Sequence, residues 1–195
     1  MARTVQEPPA PAGRDPDVIG AAVLAARLGF KDPQTVTDLA AAGELAGIKV
    51  GRDWLFSWQA TYERIAGSAA PAGPVIGAAE LARRLGFRDT QTVTDLAAAG
   101  KLHGAKIGHT WLFAWAAIYQ RIAGPGVPDG PVLRAAQLAR RFGVTTKVIR
   151  KAAAPPGKLH GCKIGKQWLF ALEAARLQMD PQPEAVTAAG SLARR

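Results

Sequence analysis

The chain has 195 residues, one cysteine and an excess of basic side chains that gives a formal net charge of +10. A single cysteine excludes an intramolecular disulfide, and no stretch reaches the roughly 18 consecutive apolar residues that a membrane span needs. We therefore expect a cytoplasmic protein whose partner is a polyanion and not a membrane.

One motif recurs at a fixed interval. Its copies begin at Lys49, Lys106 and Lys163, each contains Trp-Leu-Phe, and neighbouring copies lie 57 positions apart. A fixed period indicates tandem structural units. The predicted divisions are a disordered tail (1–17), unit 1 (18–67), a linker (68–74), unit 2 (75–124), a linker (125–131), unit 3 (132–177) and a loose C-terminal tail (178–195).

Unit 1 shows the predicted order of helices within each repeat. An apolar stripe predicts a first helix over 21–28, and a second helix is expected from Asp32 to Gly43 because Asp followed by Pro is typical of a helix start. Ser57 is suited to cap a third helix over 58–66. We expect units 2 and 3 to repeat this order.

The recurring motif itself predicts a tight β-hairpin over 45–56. Gly51 supplies a turn conformation that other residues resist, while the aromatic residues of Trp-Leu-Phe anchor the second strand in a small core. The predicted fold class is therefore mainly α with small β-hairpins (α+β). Because the linkers are rich in Pro and Gly, we expect three separate beads joined by semi-rigid spacers.

The positive charge is unevenly divided among the units. Unit 1 has five basic and five acidic side chains, unit 2 has six and three, and unit 3 has ten and one. Such a gradient predicts a polyanion-binding surface concentrated on unit 3.

The order of elements and several short motifs resemble the excisionase-like, MerR-superfamily winged helix-turn-helix domains. In unit 2 the residues that carry the resemblance are 78–86 (Ala-Ala-Glu-Leu-Ala-Arg-Arg-Leu-Gly), Thr92-Val93, Gly100-Lys101-Leu102 and Gly108-His109-Thr110-Trp111. The resemblance implies that the second helix enters the DNA major groove and that the hairpin, the wing, follows the backbone or minor groove. It covers all three units.

Unit 3 fits the implied chemistry best, because Arg and Lys donate to guanine edges or neutralise phosphates and Thr hydroxyls reach either. The predicted DNA-binding residues of unit 3 are Thr145, Thr146, Lys147, Arg150, Lys151, Lys163, Lys166, Arg140 and Arg141. Those of unit 2 are Gln91, Thr92, Arg88, Lys106 and His109. Those of unit 1 are Gln34, Thr35, Lys49 and Arg52.

Two departures from the family pattern separate the units. Asp38 and Asp95 occupy the position where the family has a basic residue and unit 3 has Lys151, and a carboxylate is repelled by phosphate. In unit 3, Pro155 must end the second helix early. The basic side chains also have a simpler interpretation, since Arg140 and Arg141 suit a helix C-terminus and the wing lysines suit a solvated hairpin.

No catalytic constellation, phosphate loop or metal-ligand spacing is present in the sequence. We therefore expect no cofactor, no metal and a non-enzymatic DNA-binding protein, namely a transcription regulator, an excisionase-like factor or a nucleoid-associated factor of bacterial or phage type. In the alternative hypothesis, units 1 and 2 bind each other or another protein, and only unit 3 contacts DNA.

Overall fold

The computed structural model describes residues 17–67, 71–155 and 157–179. Predictions for 1–16, 68–70 and 180–195, which include most of both tails and part of the first linker, lie outside the described residues. Within these ranges the chain is α+β and contains three similar units, each with the order strand, helix, helix, strand, strand, helix.

The bounds of the elements repeat from unit to unit. Unit 1 comprises β1 (Val18–Gly20), α1 (Ala21–Leu28), α2 (Pro33–Ala41), β2 (Ile48–Val50), β3 (Asp53–Ser57) and α3 (Trp58–Ala66). Unit 2 comprises β4 (Val75–Gly77), α4 (Ala78–Leu85), α5 (Thr90–Ala98), β5 (Ala105–Ile107), β6 (Thr110–Ala114) and α6 (Trp115–Ala123). Unit 3 comprises β7 (Val132–Arg134), α7 (Ala135–Arg141), α8 (Thr146–Ala153), β8 (Cys162–Ile164), β9 (Gln167–Ala171) and α9 (Leu172–Met179).

The helices of unit 1 begin as the sequence predicts. The Asp32 carboxylate accepts a hydrogen bond from the backbone N–H of Gln34 at 2.9 Å, and the Ser57 hydroxyl accepts from that of Ala60 at 3.1 Å. These side chains satisfy backbone donors that the first turn of a helix leaves unpaired. In unit 3, α8 ends at Ala153, and the extended backbone of Ala154 precedes Pro155, as predicted from the proline.

Each sheet has three antiparallel strands, so the predicted hairpin is only part of it. The order is β1-β3-β2 in unit 1, and the same order recurs in units 2 and 3. The additional strand lies before the first helix, where Ile19 pairs with Phe56. It was missed because three residues are too short to show a periodicity of two.

The inner face of each sheet packs on the helices of its own unit. In unit 1 this core contains Leu24, Val36 and Phe56, none of them more than 1% exposed. The rings of Trp54 and Phe56 stack with centroids 6.2 Å apart, and the corresponding pairs in units 2 and 3 stack at 6.2 and 6.1 Å. The Trp-Leu-Phe motif therefore anchors the middle strand, as expected.

The outer faces of the sheets in units 2 and 3 are buried against the preceding unit. Ile107 and Leu112, on the outer face of the unit 2 sheet, belong to the same buried cluster as Ile65 of unit 1. Likewise, Ile164 and Leu169 of unit 3 belong to the cluster that contains the core of unit 2. The units therefore pack directly against one another, and the predicted separation by spacers is wrong.

The hairpin turns, which we call the wing tips, contain Gly108 in unit 2 and Gly165 in unit 3 and also contact the preceding unit. A Cβ placed on Gly108 would stand 2.9 Å from Cδ2 of Leu39, and one placed on Gly165 would stand 2.9 Å from Cδ2 of Leu96. Both glycines have positive φ angles, of 59° and 61°. Glycine is therefore required at these tips by the turn and by the close approach of a leucine from the unit before.

The described linker residues are held against the helices that precede them. The Tyr62 hydroxyl donates to the carbonyl of Pro71 at 2.7 Å, and the Tyr119 hydroxyl donates to that of Pro128 at 2.9 Å. Burial raises the pKa of both phenols. The tyrosines therefore fix the path by which the chain enters the next unit.

Candidate nucleic-acid interface

The exposed side of α8 carries three basic residues. Lys147, Arg150 and Lys151 are all exposed, and no acidic side chain pairs with any of them among the described residues. Ile149 lies on the opposite side of the helix and is fully buried. Because its core side is fixed in this way, α8 presents its cations to solvent on a rigid element.

The first predicted contacts of α8 have partly structural roles. The Thr145 hydroxyl caps the helix by accepting from the backbone N–H of Val148 at 3.4 Å, and Thr146 is half-buried. Their hydroxyls therefore lie at the N-terminus of α8, where they are close to its free backbone N–H groups. This end of the helix favours an anion.

The same helix positions are neutral or acidic in units 1 and 2. The Gln34 amide donates to the Asp38 carboxylate at 2.8 Å, and Gln91 donates to Asp95 at 2.7 Å. These pairs occupy the places of Lys147 and Lys151 in unit 3. One turn of the second helix thus has a paired amide and carboxylate in two units, whereas in the third it has two lysines.

The C-terminus of the first helix shows a second contrast. Glu80 contacts both Arg83 and Arg84, at 2.7 and 2.8 Å, and these hydrogen bonds lower the pKa of Glu80 to about 2. The Arg84 guanidinium also lies over the ring of Trp115, 4.8 Å from its centroid. Much of the positive charge at this end of unit 2 is therefore neutralised internally.

Unit 3 lacks that internal acid. Gln137 replaces Glu80, and its side chain accepts from the backbone N–H of Arg134 at 2.9 Å. Arg140 and Arg141 are exposed and have no ion-pair partner within 132–155 and 157–179 or elsewhere in the described chain. Because α7 packs on α8, these arginines extend the basic surface of the second helix.

The predicted wing residues are exposed in all three units. Lys49, Lys106 and Lys163 lie opposite the tryptophans of the neighbouring strand, and the structure exposes each of them. The tip residues Arg52, His109 and Lys166 are exposed as well. The structure therefore leaves the wing cations accessible, although the tip glycines of units 2 and 3 contact the preceding unit.

The remaining predicted residues of units 1 and 2 are less available. Thr35 and Thr92 are half-buried, and the Thr92 hydroxyl and backbone N–H both contact the Asp89 carboxylate, at 2.8 and 2.7 Å. These bonds lower the pKa of Asp89, the backbone bond contributing most. Arg88 is exposed in the turn before α5. Thr92 is thus part of a helix cap, whereas the Arg88 guanidinium remains exposed to solvent.

Several residues of the junctions between units were not predicted as contacts. The Nε2 atoms of His103 and His160 lie 3.2 and 3.5 Å from the positions of a Cβ on Gly67 and Gly124, which end the third helix of the unit before. Glu44 of unit 1 accepts from the backbone N–H of Gly108 at 2.8 Å. One signal for these contacts was present in the sequence. The histidine occurs only in units 2 and 3, which follow another unit, and unit 1 has Ala46 at this position.

Comparisons with protein-family models, curated proteins and solved structures give no match. Within 17–67, 71–155 and 157–179, no three His, Cys, Asp or Glu side chains are grouped so as to hold a metal ion. Over the same residues, no helix is both long and apolar enough to cross a bilayer.

Proposed function

We propose that the chain is a non-enzymatic DNA-binding protein built from three winged helix-turn-helix-like units, with unit 3 supplying most of the affinity. The observation that carries this proposal is the basic surface formed by Lys147, Arg150 and Lys151 on α8 and by Arg140 and Arg141 on α7, which have no ion-pair partner among the described residues. Duplex DNA is the polyanion that suits it, because a rigid helix of this kind fits the major groove.

Electrostatics supports unit 3 as the dominant contact. Each phosphate that a Lys or Arg neutralises releases condensed counterions, so binding weakens with salt at a slope of about −0.9 per phosphate contact. Unit 3 has ten basic residues and one acidic residue, whereas unit 1 has five of each. Units 1 and 2 would add contacts through Arg88 and the wing lysines. These contacts would contribute less to the affinity, because Asp38 and Asp95 lie on the second helices and repel phosphate.

The test is a pair of triple variants of the full chain, measured on one duplex across a range of salt concentrations. Replacing Lys147, Arg150 and Lys151 by Ala should weaken binding by about 100-fold at low salt and reduce the magnitude of the salt slope by about 3. The matched control replaces Lys31 and Arg64 of unit 1 and Lys101 of unit 2, which are exposed, are not predicted contacts and carry the same total charge. We expect the control to lose less than about threefold.

Equal losses in the two triple variants would show a binding surface that depends only on total charge, and unit 3 would have no special role. Unaltered binding by the α8 variant would contradict the proposal itself. Circular dichroism checks that both proteins remain folded, as expected for exposed positions.

A second candidate function is favoured by the Gln34–Asp38 and Gln91–Asp95 pairs. A second helix without net positive charge suits a protein partner better than a phosphate backbone. In this alternative, units 1 and 2 bind protein while unit 3 binds DNA. It requires that charge changes on α2 and α5 leave DNA affinity unaltered.

A further inference from the structure

The outer face of the unit 1 sheet is apolar and uncovered in the described chain. Val18, Ile48, Val50 and Leu55 are 58%, 72%, 57% and 36% exposed. The strand register places all four on one side of the sheet, since Ile48 pairs with Leu55 and Val18 pairs with Ser57. They form a contiguous surface, which we call the entry face.

The corresponding faces of units 2 and 3 are covered by the unit before. At the positions of Ile48, Val50 and Leu55, unit 2 has Ala105, Ile107 and Leu112, which are 8%, 1% and 1% exposed. In unit 3, Ile164 and Leu169 are 1% and 0% exposed. The sequence therefore keeps this face apolar in all three units, and two of the three bury it.

In units 2 and 3, the face that corresponds to the entry face is covered by the second and third helices of the preceding unit. Ile65 of α3 and Ile122 of α6 are fully buried there. Leu39 of α2 and Leu96 of α5 contact the wing-tip glycines, as described above. We call this combination of helix surfaces the exit face of a unit.

No described residue outside unit 3 covers the exit face of unit 3. Met179, at the position of Ile65 and Ile122, is 40% exposed, and Val148 is 51% exposed. Ala152 takes the place of the two leucines, and beside it lies a largely apolar groove of about 570 Å³. The residues that line the groove are Val148, Lys151, Ala152, Ala154, Pro155, Gly157 and Lys158. A space is thus present where units 1 and 2 hold the next wing tip.

Charge distinguishes this unfilled pair of faces from the two internal junctions. Asp53 gives the unit 1 wing tip a carboxylate, where units 2 and 3 have Thr110 and Gln167. The groove on unit 3 contains Lys151 and Lys158. The Asp53 carboxylate, next to Arg52 at this tip, can therefore pair with a lysine of the groove, and opposite charges across an interface favour one register.

We propose that the entry face of one chain docks on the exit face of unit 3 of a second copy, which continues the internal stacking head to tail. Tandem-repeat proteins cover their terminal units with polar surfaces, and neither end of the described stack is covered in that way. Because the two faces are different surfaces, each added copy leaves one face free. The contact is heterologous, so the product is an open filament unless its rotation closes a ring.

A second copy is favoured as the occupant because one chain carries both unfilled halves of a junction that it makes twice internally. This inference goes beyond DNA binding and does not depend on it. Residues 1–16 or 180–195 of the same chain are the competing occupants.

The test is sedimentation of the full chain without DNA over a wide concentration range. We expect the mean mass to rise with concentration from that of one chain, 20.5 kDa, through dimers to longer species. An entry variant, Ile48→Lys with Val50→Lys, and an exit variant, Ala152→Lys, should each remain at the mass of one chain. The control is Val23→Lys on α1, which is also an exposed apolar position at 47% and should associate like the wild type.

Mixing the two blocked variants provides the decisive measurement. The entry variant retains a working exit face and the exit variant retains a working entry face, so the mixture should form dimers and nothing longer. A wild-type mass that stays at one chain over all concentrations would overturn the proposal and indicate that the chain covers its own faces. Failure of the mixture to dimerise, or association of either blocked variant alone, would also overturn it.

Because no DNA is present, failure of this experiment would leave the proposed function intact. The DNA-binding test of the α8 variant is carried out at concentrations too low for chains to associate. Its outcome therefore does not depend on head-to-tail docking.

Discussion

Units 1 and 3 have the same fold but differ in which faces are exposed and in the charge of the second helix. Unit 1 exposes an apolar sheet face, and its second helix has a Gln–Asp pair. In unit 3 the sheet is covered by unit 2, and the same helix positions are exposed lysines. The buried core residues shared by the units determine the fold, while each unit's place in the stack determines which of its faces is open. Charge then differs on the faces that remain open.

The largest expected effect comes from shortening the same outer-face residue in each unit. Ile107→Ala and Ile164→Ala should each lower the free energy of unfolding by about 2–5 kcal/mol, because each removes buried methyl groups from a core shared by two units. Val50→Ala, at the equivalent position of unit 1, should change it by less than about 0.5 kcal/mol. Urea unfolding at low protein concentration measures all three, and equal losses would mean that the units do not share cores.

A smaller effect is expected from giving unit 1 the helix surface of unit 3. Gln34→Lys with Asp38→Lys replaces the amide–carboxylate pair by two lysines, and we expect about tenfold tighter DNA binding, with a salt slope steeper by about 2. The matched control is Gln59→Lys with Glu63→Lys on α3, where the Gln amide donates to the carboxylate at 2.6 Å. The control makes the same change in charge on another helix.

If both exchanges strengthen binding equally, the gain reflects total charge and α2 does not face DNA. If neither does, the second candidate function, in which unit 1 binds protein, is favoured. The result thus decides whether DNA affinity depends on where the positive charge lies on the unit or only on how much charge the chain carries.

The smallest expected effect concerns Glu80, which distinguishes unit 2 from unit 3. Its pKa is lowered from 4.5 to about 2 in the folded chain by its bonds to Arg83 and Arg84. A lowered carboxyl pKa stabilises the folded state above pH 4.5, and this contribution is lost as the pH falls towards 2. Glu80→Gln should therefore lower the thermal midpoint slightly near neutral pH, and the difference from wild type should shrink below pH 4.5.

Thermal unfolding followed by circular dichroism across this pH range measures the effect. Unit 3 already has Gln137 at the equivalent position, so the substitution gives unit 2 a residue that the fold accepts. A difference that grows as the pH falls would contradict the assigned contacts of Glu80.

Local structure was largely predictable from the sequence because local residues determine it. Asp32 and Ser57 mark helix starts through bonds to backbone groups a few residues away, and the wing-tip glycines mark turns. The same holds for the basic positions of α8, whose exposure follows from Ile149 lying on the buried side. The order of the helices and the hairpin within each unit was therefore correct, whereas the short strand before the first helix was missed.

The packing of one unit on the next was not predicted, because it depends on residues far apart in the sequence, such as Leu39 and Gly108. One signal was present in the Trp-Leu-Phe motif. Alternate residues of a strand lie on opposite faces, so Leu55 between Trp54 and Phe56 makes both faces of the sheet apolar. Such a strand is typical of a sheet that is covered on both sides, and the linkers alone gave no reason to expect that cover.

The junction between Ile65 and Ile107 uses the same positions as the junction between Ile122 and Ile164. The surface that unit 1 offers to unit 2 is therefore one that unit 3 can also accept. Removing one period of 57 residues would leave two units joined by a contact of the kind already present, and duplicating a period would add a unit without a new type of interface. The number of units is thus a property that genetic duplication or deletion can change in single steps, while the geometry of each step stays constant.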